Sequence, residues 1–393
     1  MEKRSVYLDN AATTTVSGEV LNAMMPYFTS IYGNSNSLHS FGREAVAGVD
    51  NARDIICKAI NAEKNEVFFT SGGTEANNWA VIGTALANRK RGMHIITSQI
   101  EHHSVIDACK RLEQEGFEVS YLPVDENGLV SITDLLHEIK SNTVLVSIMA
   151  VNNEVGTIQN LRTIGEIVKF YKAYFHVDAV QALGVMDIDV QTMNIDMLSM
   201  SAHKIHGPKG MGALYIRKGT IIDKFMLGGE QELNKRGGTV NVPAAVGFGK
   251  AVEIAKKNMQ QNNKKLADLA DYFIKQVEYF ISDIKINANI SQKNPGIVNI
   301  SFDRVDGESL LMLLDMEGIA VSTGSACASG SLLRSHVLAA MGLEKSEING
   351  AIRFSFGTDL TNADIDYTVS VLTKLVERLR KINPEIKKGK KNV

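Results

Sequence analysis

Three cysteines, at positions 57, 109 and 327, are too few and too scattered for a disulfide framework or a zinc site. No apolar run is long enough to cross a bilayer. The opening "MEKRSVYLDNAATTT" lacks the hydrophobic stretch of a secretory signal. Neither sign of charge is in excess: 42 Lys and Arg against 44 Asp and Glu leave a net charge of −2, which argues against nucleic acid as a partner. These absences give the expectation of a soluble, cytoplasmic protein with no membrane and no nucleic-acid partner. What is present is 393 residues, 44% of them hydrophobic, enough for a large core and two or three domains.

From about residue 66 to 217, short β-rich runs alternate with helical stretches. "EVFFT" (66–70), "MHIITS" (93–98), "FEVSYL" (117–122), "TVLVSIMA" (143–150), "AYFHVDA" (173–179), "DMLSM" (196–200) and "GALYIR" (212–217) read as strands. Most are nearly continuous apolar runs, as expected where both faces of a parallel sheet are covered. The alternation predicts an α/β layer sandwich. From Val240 to about Phe280 the helical period dominates. The last third, with strands at "GIVNISF" (296–302), "IAVST" (319–323) and "AIRFSF" (351–356), reads as a smaller α+β domain. The tail "KKGKKNV" reads as a solvated end.

Ligands of parallel α/β sheets bind beyond the carboxyl ends of the strands, so the residues following each strand are the candidates. "SGGTEANN" offers Gly73 and Thr74 at a helix start, a small anion site, although an ordinary β–α turn would use the same residues. "EHHSV" places His102 at another helix start. "VNNEVG" brings Asn153 after a very apolar strand, where plain turn chemistry is the alternative. Asp178 and Gln181 in "HVDAVQ" follow a further strand, and a carboxylate there needs a cation or an N–H donor. "SAHKIHGPKG" sets Lys204 between two histidines at the end of "DMLSMS", where a lowered pKa would make the amine nucleophilic toward carbonyls. A phosphate cradle, an imidazole, a carboxylate and an amine on one sheet edge form the set that pyridoxal phosphate needs. In that reading Lys204 makes the Schiff base, Asp178 keeps the pyridine nitrogen protonated, and Ser201 and His203 touch the phosphate.

The chain resembles the cysteine desulfurases of the NifS/IscS class, within the fold-type I pyridoxal phosphate enzymes. The resemblance rests on "YLDNAATT", "TSGGTEANN", "EHHSV", "VNNEVG", "HVDAVQ", "SAHKIHGPKG", "RGGTVNVP", "STGSACASGS" and "IRFSFG", which run in that family's order along almost the whole chain. It implies an α/β fold of type I, with a large domain (15–260) built on a mostly parallel seven-stranded sheet. A smaller α+β domain (1–14 and 261–393) would carry a catalytic cysteine loop at about 322–334. It implies that pyridoxal 5'-phosphate is the cofactor, that His102 stacks on its ring and moves protons, and that Gln181 meets the ring hydroxyl. Gly73, Thr74, Ser201 and His203 would hold the phosphate, Thr239 would reach the phosphate of a neighbouring subunit in a homodimer, and Asn153 with Arg353 would hold the substrate carboxylate. Cys327, in a small, polar Gly/Ser/Ala segment, would attack the sulfur of L-cysteine, with His102 taking up the thiol proton. The resulting persulfide would pass to an acceptor such as an iron–sulfur scaffold. No resident metal is implied, Cys327 alone being a transient iron–sulfur ligand. Cys57 and Cys109, among apolar helical neighbours, read as inert. A selenocysteine lyase, an aminotransferase or a cofactor-free scaffold are the alternatives, and an aminotransferase would have no use for Cys327. Housekeeping members of the family carry a longer scaffold-docking tail, for which "INPEIKKGKKNV" has no evident counterpart.

Overall fold

The computed structural model describes residues 4–323 and 334–382. Twelve strands appear in it: β1 (Val6–Tyr7), β2 (Val67–Thr70), β3 (His94–Ser98), β4 (Glu118–Leu122), β5 (Thr143–Met149), β6 (Tyr174–Asp178), β7 (Met197–Ser201), β8 (Gly212–Ile216), β9 (Ile284–Asn287), β10 (Ile297–Phe302), β11 (Ile319–Ala320) and β12 (Ala351–Ser355). Seven form the central sheet in the order β2-β8-β7-β6-β5-β3-β4. Only β8 runs against its neighbours, β2 and β7. The ten residues between Ser201 and Gly212 are too few for a crossover helix, so the chain turns back on itself there.

The strands that read as solid apolar runs are buried on both faces, whereas β4 at the sheet edge is half exposed. One face packs Ile96, Val146, Phe175 and Leu198 against the helices Ser40–Ile60 and Val242–Phe280. The other packs Phe68, Ile95 and Leu145 against Trp79 and Val105, from the helical run Gly73–Asn88 and the helix His103–Gln114. The first of these has one wider turn, of π type, across Trp79–Gly83. Both helices that follow β2 and β3 begin at the carboxyl edge of the sheet, which is where the candidate residues lie.

A second core gathers around the antiparallel sheet β12-β10-β9, with Phe273, Phe302 and Phe354 among its largest buried side chains. The helix Val242–Phe280 serves both cores. Its first turns bury Ala245, Phe248 and Val252 against the large sheet, and its last bury Leu269, Phe273 and Val277 against the small one. The division expected at residue 260 falls inside this helix.

The N-terminal segment joins the two cores across the site. β1 pairs in parallel with β11, Ser355 N then donates to Leu8 O at 2.7 Å, and Thr14 N donates to His203 O at 3.0 Å. "IAVST" forms a strand only over Ile319–Ala320, because its partner β1 is itself two residues long. Among the described residues no helix is long and apolar enough to cross a membrane.

Candidate active site

A cavity of about 740 Å³ opens at the carboxyl ends of β5, β6 and β7, and His102, Asn153, Asp178, Ser201, Lys204 and Arg353 all belong to its wall. His102, Asn153, Asp178 and Lys204 follow or close strands of the large sheet, as the strand-end reading expected, whereas Arg353 lies within β12 of the other sheet. Gly73, Thr74, Gln181 and His203 line it too.

Asp178 closes β6 and is 5% exposed. Its partners are N–H donors rather than a cation: Asn77 Nδ2 at 2.7 Å and Val180 N at 2.9 Å. Asn77 Nδ2 also donates to Ser104 Oγ at 2.8 Å, and Ser104 Oγ lies 2.8 Å from His102 Nδ1. A polar chain therefore ties the carboxylate to the imidazole. His102 is the N-cap of its helix, with Nδ1 accepting from Ser104 N at 3.1 Å. That bond leaves the proton of the neutral ring on Nε2. Burial holds the His102 pKa below the ordinary histidine value, against the pull of Asp178, so the ring is neutral near pH 7.

Lys204 ends the short turn that follows β7, and its Nζ donates to the carbonyls of Ala11 and Ala12 at 2.6 and 2.8 Å. Gln181 Nε2 donates to the same Ala11 carbonyl at 2.9 Å. At the other end of the cavity lies a pocket of about 370 Å³, walled by Gly73, Thr74, Ser201 and His203. The first N–H groups of the helical run that starts at Gly73 have no helical acceptors, and they carry its positive dipole end. Ser201 Oγ is buried and has no partner among the described residues. A Cβ at Gly73 would come within 2.5 Å of Val180 Cγ2, so only glycine lets the helix start approach β6. Burial, aided by Lys204 and Lys209, pushes the His203 pKa down to about 4, and its Nδ1 lies 3.1 Å from Thr13 Oγ1. Lys209 borders the pocket as well, and so does Glu75, whose carboxylate is paired with Arg236, so the wall offers neutral donors, a dipole and one cation to an anionic group.

Arg353, on β12, is drawn from the second core into the cavity wall. Its Nη1 donates to the Asn153 carbonyl at 2.9 Å and its Nη2 to Asp9 Oδ1 at 2.7 Å. The backbones of Arg353 and Ser322 exchange two hydrogen bonds, of 2.6 and 3.2 Å. Beyond residues 324–333, Ser335 Oγ donates to Glu154 Oε2 at 2.5 Å and His336 Nε2 donates to the Glu101 carbonyl at 2.9 Å. The chain entering and the chain leaving that segment are both fastened beside the cavity. Cys327 itself lies outside the described residues. Thr239 is not part of the central cavity and borders a separate cleft with Glu232 and Arg236. Cys57 and Cys109 are buried, with thiol pKa values pushed up by burial to about 11 and about 12, in keeping with inert core residues.

Sequence reasoning missed Asp9, Asn77, Ser104 and the carbonyls of Ala11 and Ala12. All three side chains stand in quoted segments, "YLDNAATT", "SGGTEANN" and "EHHSV", so a polar residue next to a turn was the available signal. A backbone acceptor leaves no signal.

The sequence matches the aminotransferase class-V family over residues 6–368. It is 50% identical over 383 residues to a protein of Clostridium botulinum named cysteine desulfurase IscS, an alignment that covers 97% of this chain and 96% of that protein. Among solved structures, a NifS-like protein superposes with a TM-score of 0.90 at 38% identity, covering 95% of this chain and all of its own. A structure titled SspA in complex with cysteine superposes with a TM-score of 0.81 at 36% identity, over 90% of this chain and 99% of that one.

Proposed function

Since the chain belongs to the class-V aminotransferase family, and within it to the cysteine desulfurases, we propose that Lys204, His102 and Cys327 carry its chemistry and that the residues around Asp178 and Ser201 hold its cofactor. The enzyme removes the sulfur of L-cysteine and leaves L-alanine. Its family depends in general on pyridoxal phosphate, and the residues present fit that group. The unpartnered Ser201 Oγ beside the helix start suits a phosphate, with Gly73 and Thr74 giving N–H groups and His203 a ring donor. The buried Asp178 carboxylate suits a protonated pyridine nitrogen, Gln181 the ring hydroxyl, and Lys204 the aldehyde. When bound, the cofactor supplies an electron sink for charge left at the substrate Cα.

In this reading Arg353 and Asn153 fix the substrate carboxylate, a task suited to a guanidinium fork. Lys204 Nζ takes the Cα proton. The Cys327 thiolate attacks the substrate sulfur: an S–S bond forms, the Cβ–S bond breaks, and its electron pair stays on carbon, where a proton completes L-alanine. With the cofactor bound, His102 would stack over its ring and would move protons through the atom that its bond to Ser104 leaves available. It takes up the thiol proton at Nδ1 only if that bond opens, so the thiol proton and the Ser104 contact compete.

One observation carries the proposal. His102, Asp178, Lys204 and Arg353 share one cavity, and both flanks of the segment holding Cys327 are fastened to its rim. The test is intact mass after brief exposure to L-cysteine. Wild type should gain one thiol-labile sulfur on the peptide containing Cys327. Cys327→Ser should gain none and release no L-alanine, while still changing the cofactor spectrum on mixing. A persistent gain in that variant, or its location on Cys57 or Cys109, refutes the assignment.

We further propose a cytoplasmic homodimer in which Thr239 reaches the partner's phosphate pocket. Supporting it, Phe28, Tyr32, Leu38 and Phe41 stand exposed along one stretch of surface chain, Leu38 by 91%. The persulfide then goes to an acceptor protein such as an iron–sulfur scaffold, which transfer of labelled sulfur to a purified scaffold would test.

A further inference from the structure

Arg353 has a side chain only 5% exposed, yet it belongs to the wall of the central cavity. A guanidinium so enclosed needs a compensating charge. Asp9 supplies it at 2.7 Å through Nη2, while Nη1 is engaged by the Asn153 carbonyl. Nε is buried and has no partner among the described residues. The arginine is thus held through both terminal nitrogens, its charge is shared, and its third nitrogen, Nε, keeps its N–H for another acceptor. Asp9 is not among the residues of the cavity wall. It stands behind the arginine, two residues past β1, and is fixed by its backbone: Asp9 bridges to Ser355, and Asn10 N donates to Ser355 O at 3.2 Å.

We propose that Asp9 is a positioning residue that sets how tightly the site captures a carboxylate. The proposal rests on the reading of Arg353 as the substrate's carboxylate grip. Asp9 aims the guanidinium and offsets its charge. An incoming carboxylate therefore meets a half-cancelled field and the repulsion of a second carboxylate on the same group. L-cysteine and L-alanine carry the same carboxylate, so an unopposed arginine would hold product as firmly as substrate. Such uniform binding lowers KM without raising kcat. An asparagine at this position would accept the same hydrogen bond without offsetting the charge, which makes charge the property that Asp9 contributes.

The test titrates the cofactor-loaded enzyme with L-alanine and, separately, with ethylamine, which is L-alanine without its carboxylate. Binding is followed by absorbance of the bound cofactor. Asp9→Asn should bind L-alanine about tenfold more tightly, equivalent to about 1.4 kcal/mol, and leave ethylamine unchanged. Its KM for L-cysteine should fall, and kcat should fall with it as product leaves more slowly. Asp9→Glu, which keeps the charge, should restore L-alanine affinity toward the wild-type value. A merely structural role would move both ligands together. Arg353→Lys checks the underlying reading on its own: it should weaken L-alanine and spare ethylamine. If it does so while Asp9→Asn leaves L-alanine binding unchanged or weaker, or tightens both ligands equally, the role of Asp9 is overturned alone. If Arg353→Lys affects both ligands alike, the carboxylate grip itself falls. Should Asp9→Asn not fold, Asp9→Ser removes the same charge and carries the same expectation.

Discussion

Replacing Asp178 should separate the fold from the chemistry. Its two oxygens accept from Asn77 Nδ2 at 2.7 Å and Val180 N at 2.9 Å, in a site 5% exposed. Hydrogen bonds to charged groups contribute about 1.5–3 kcal/mol each. Asp178→Ala leaves Val180 N and one of the two Asn77 Nδ2 hydrogens unpaired, the other still going to Ser104 Oγ, and should destabilise the protein by about 3 kcal/mol. Asp178→Asn should cost nearer to about 1 kcal/mol. Its amide oxygen can still accept from Val180 N, and Asn77 can turn its own amide, since Asn77 Oδ1 has no partner among the described residues. Turnover has no such escape, because a neutral amide cannot keep a pyridine nitrogen protonated. A barrier raised by about 4 kcal/mol corresponds to roughly a thousandfold loss in rate. The assay pairs denaturant unfolding, with wild type and variants in the same cofactor state, with the rate of L-alanine release from L-cysteine. An Asp178→Asn enzyme that is near-native in stability and turns over within about tenfold of wild type would refute the reasoning.

Lys204→Ala should lose turnover and any borohydride-reducible bond to the cofactor, and detection of that bond by mass would exclude Lys204 as its site. Acid should destabilise the fold through His176, which is 0% exposed between Ser147 and Ser199 and whose pKa burial pushes down to about 3. This ring stays neutral when folded but binds a proton near 6.5 when unfolded, so its contribution is complete above 6.5 and is lost as pH falls toward 3. The slope from this one group is at most about 1.4 kcal/mol per pH unit, and denaturant midpoints measured down the pH scale should flatten in His176→Gln; an unaltered slope counts against it. The dimer is checked by sedimentation: an active monomer with full cofactor occupancy is incompatible with the place given to Thr239.

The central sheet was readable because burial on both faces leaves solid apolar runs such as "TVLVSIMA", and the observed strands differ from those runs by a residue or two at their ends. Lys204, Asp178 and His102 could be found because strand ends point at the ligand in such sheets. The contacts that complete the site were not readable, for two physical reasons. Lys204 is held by carbonyls, which every residue has. Arg353 meets a carboxylate 344 positions away, a pairing that depends on β12 lying beside the N-terminal segment. The length of the helix Val242–Phe280 was visible in its period, but not that its two ends serve different cores.

The path of residues 6–14 has a consequence for the order in which a newly made chain can finish folding. This stretch is made before all of its partners, and although Ala11, Ala12 and Thr14 meet Lys204 and His203, its anchors in the second core are Gly318, Ala320, Arg353 and Ser355. At about 5–20 residues per second, synthesis of the intervening chain takes roughly 17–70 s. The seven-stranded sheet is complete in sequence by Ile216 and does not have to wait. The N-terminal stretch does, and with it the seating of Asp9 against Arg353. A polypeptide ended before these anchors can therefore hold a formed sheet, with Asp178 in place, and still lack both the carbonyls of Ala11 and Ala12 that hold Lys204 and the wall that grips a carboxylate. Competence to process an amino acid arrives with β12.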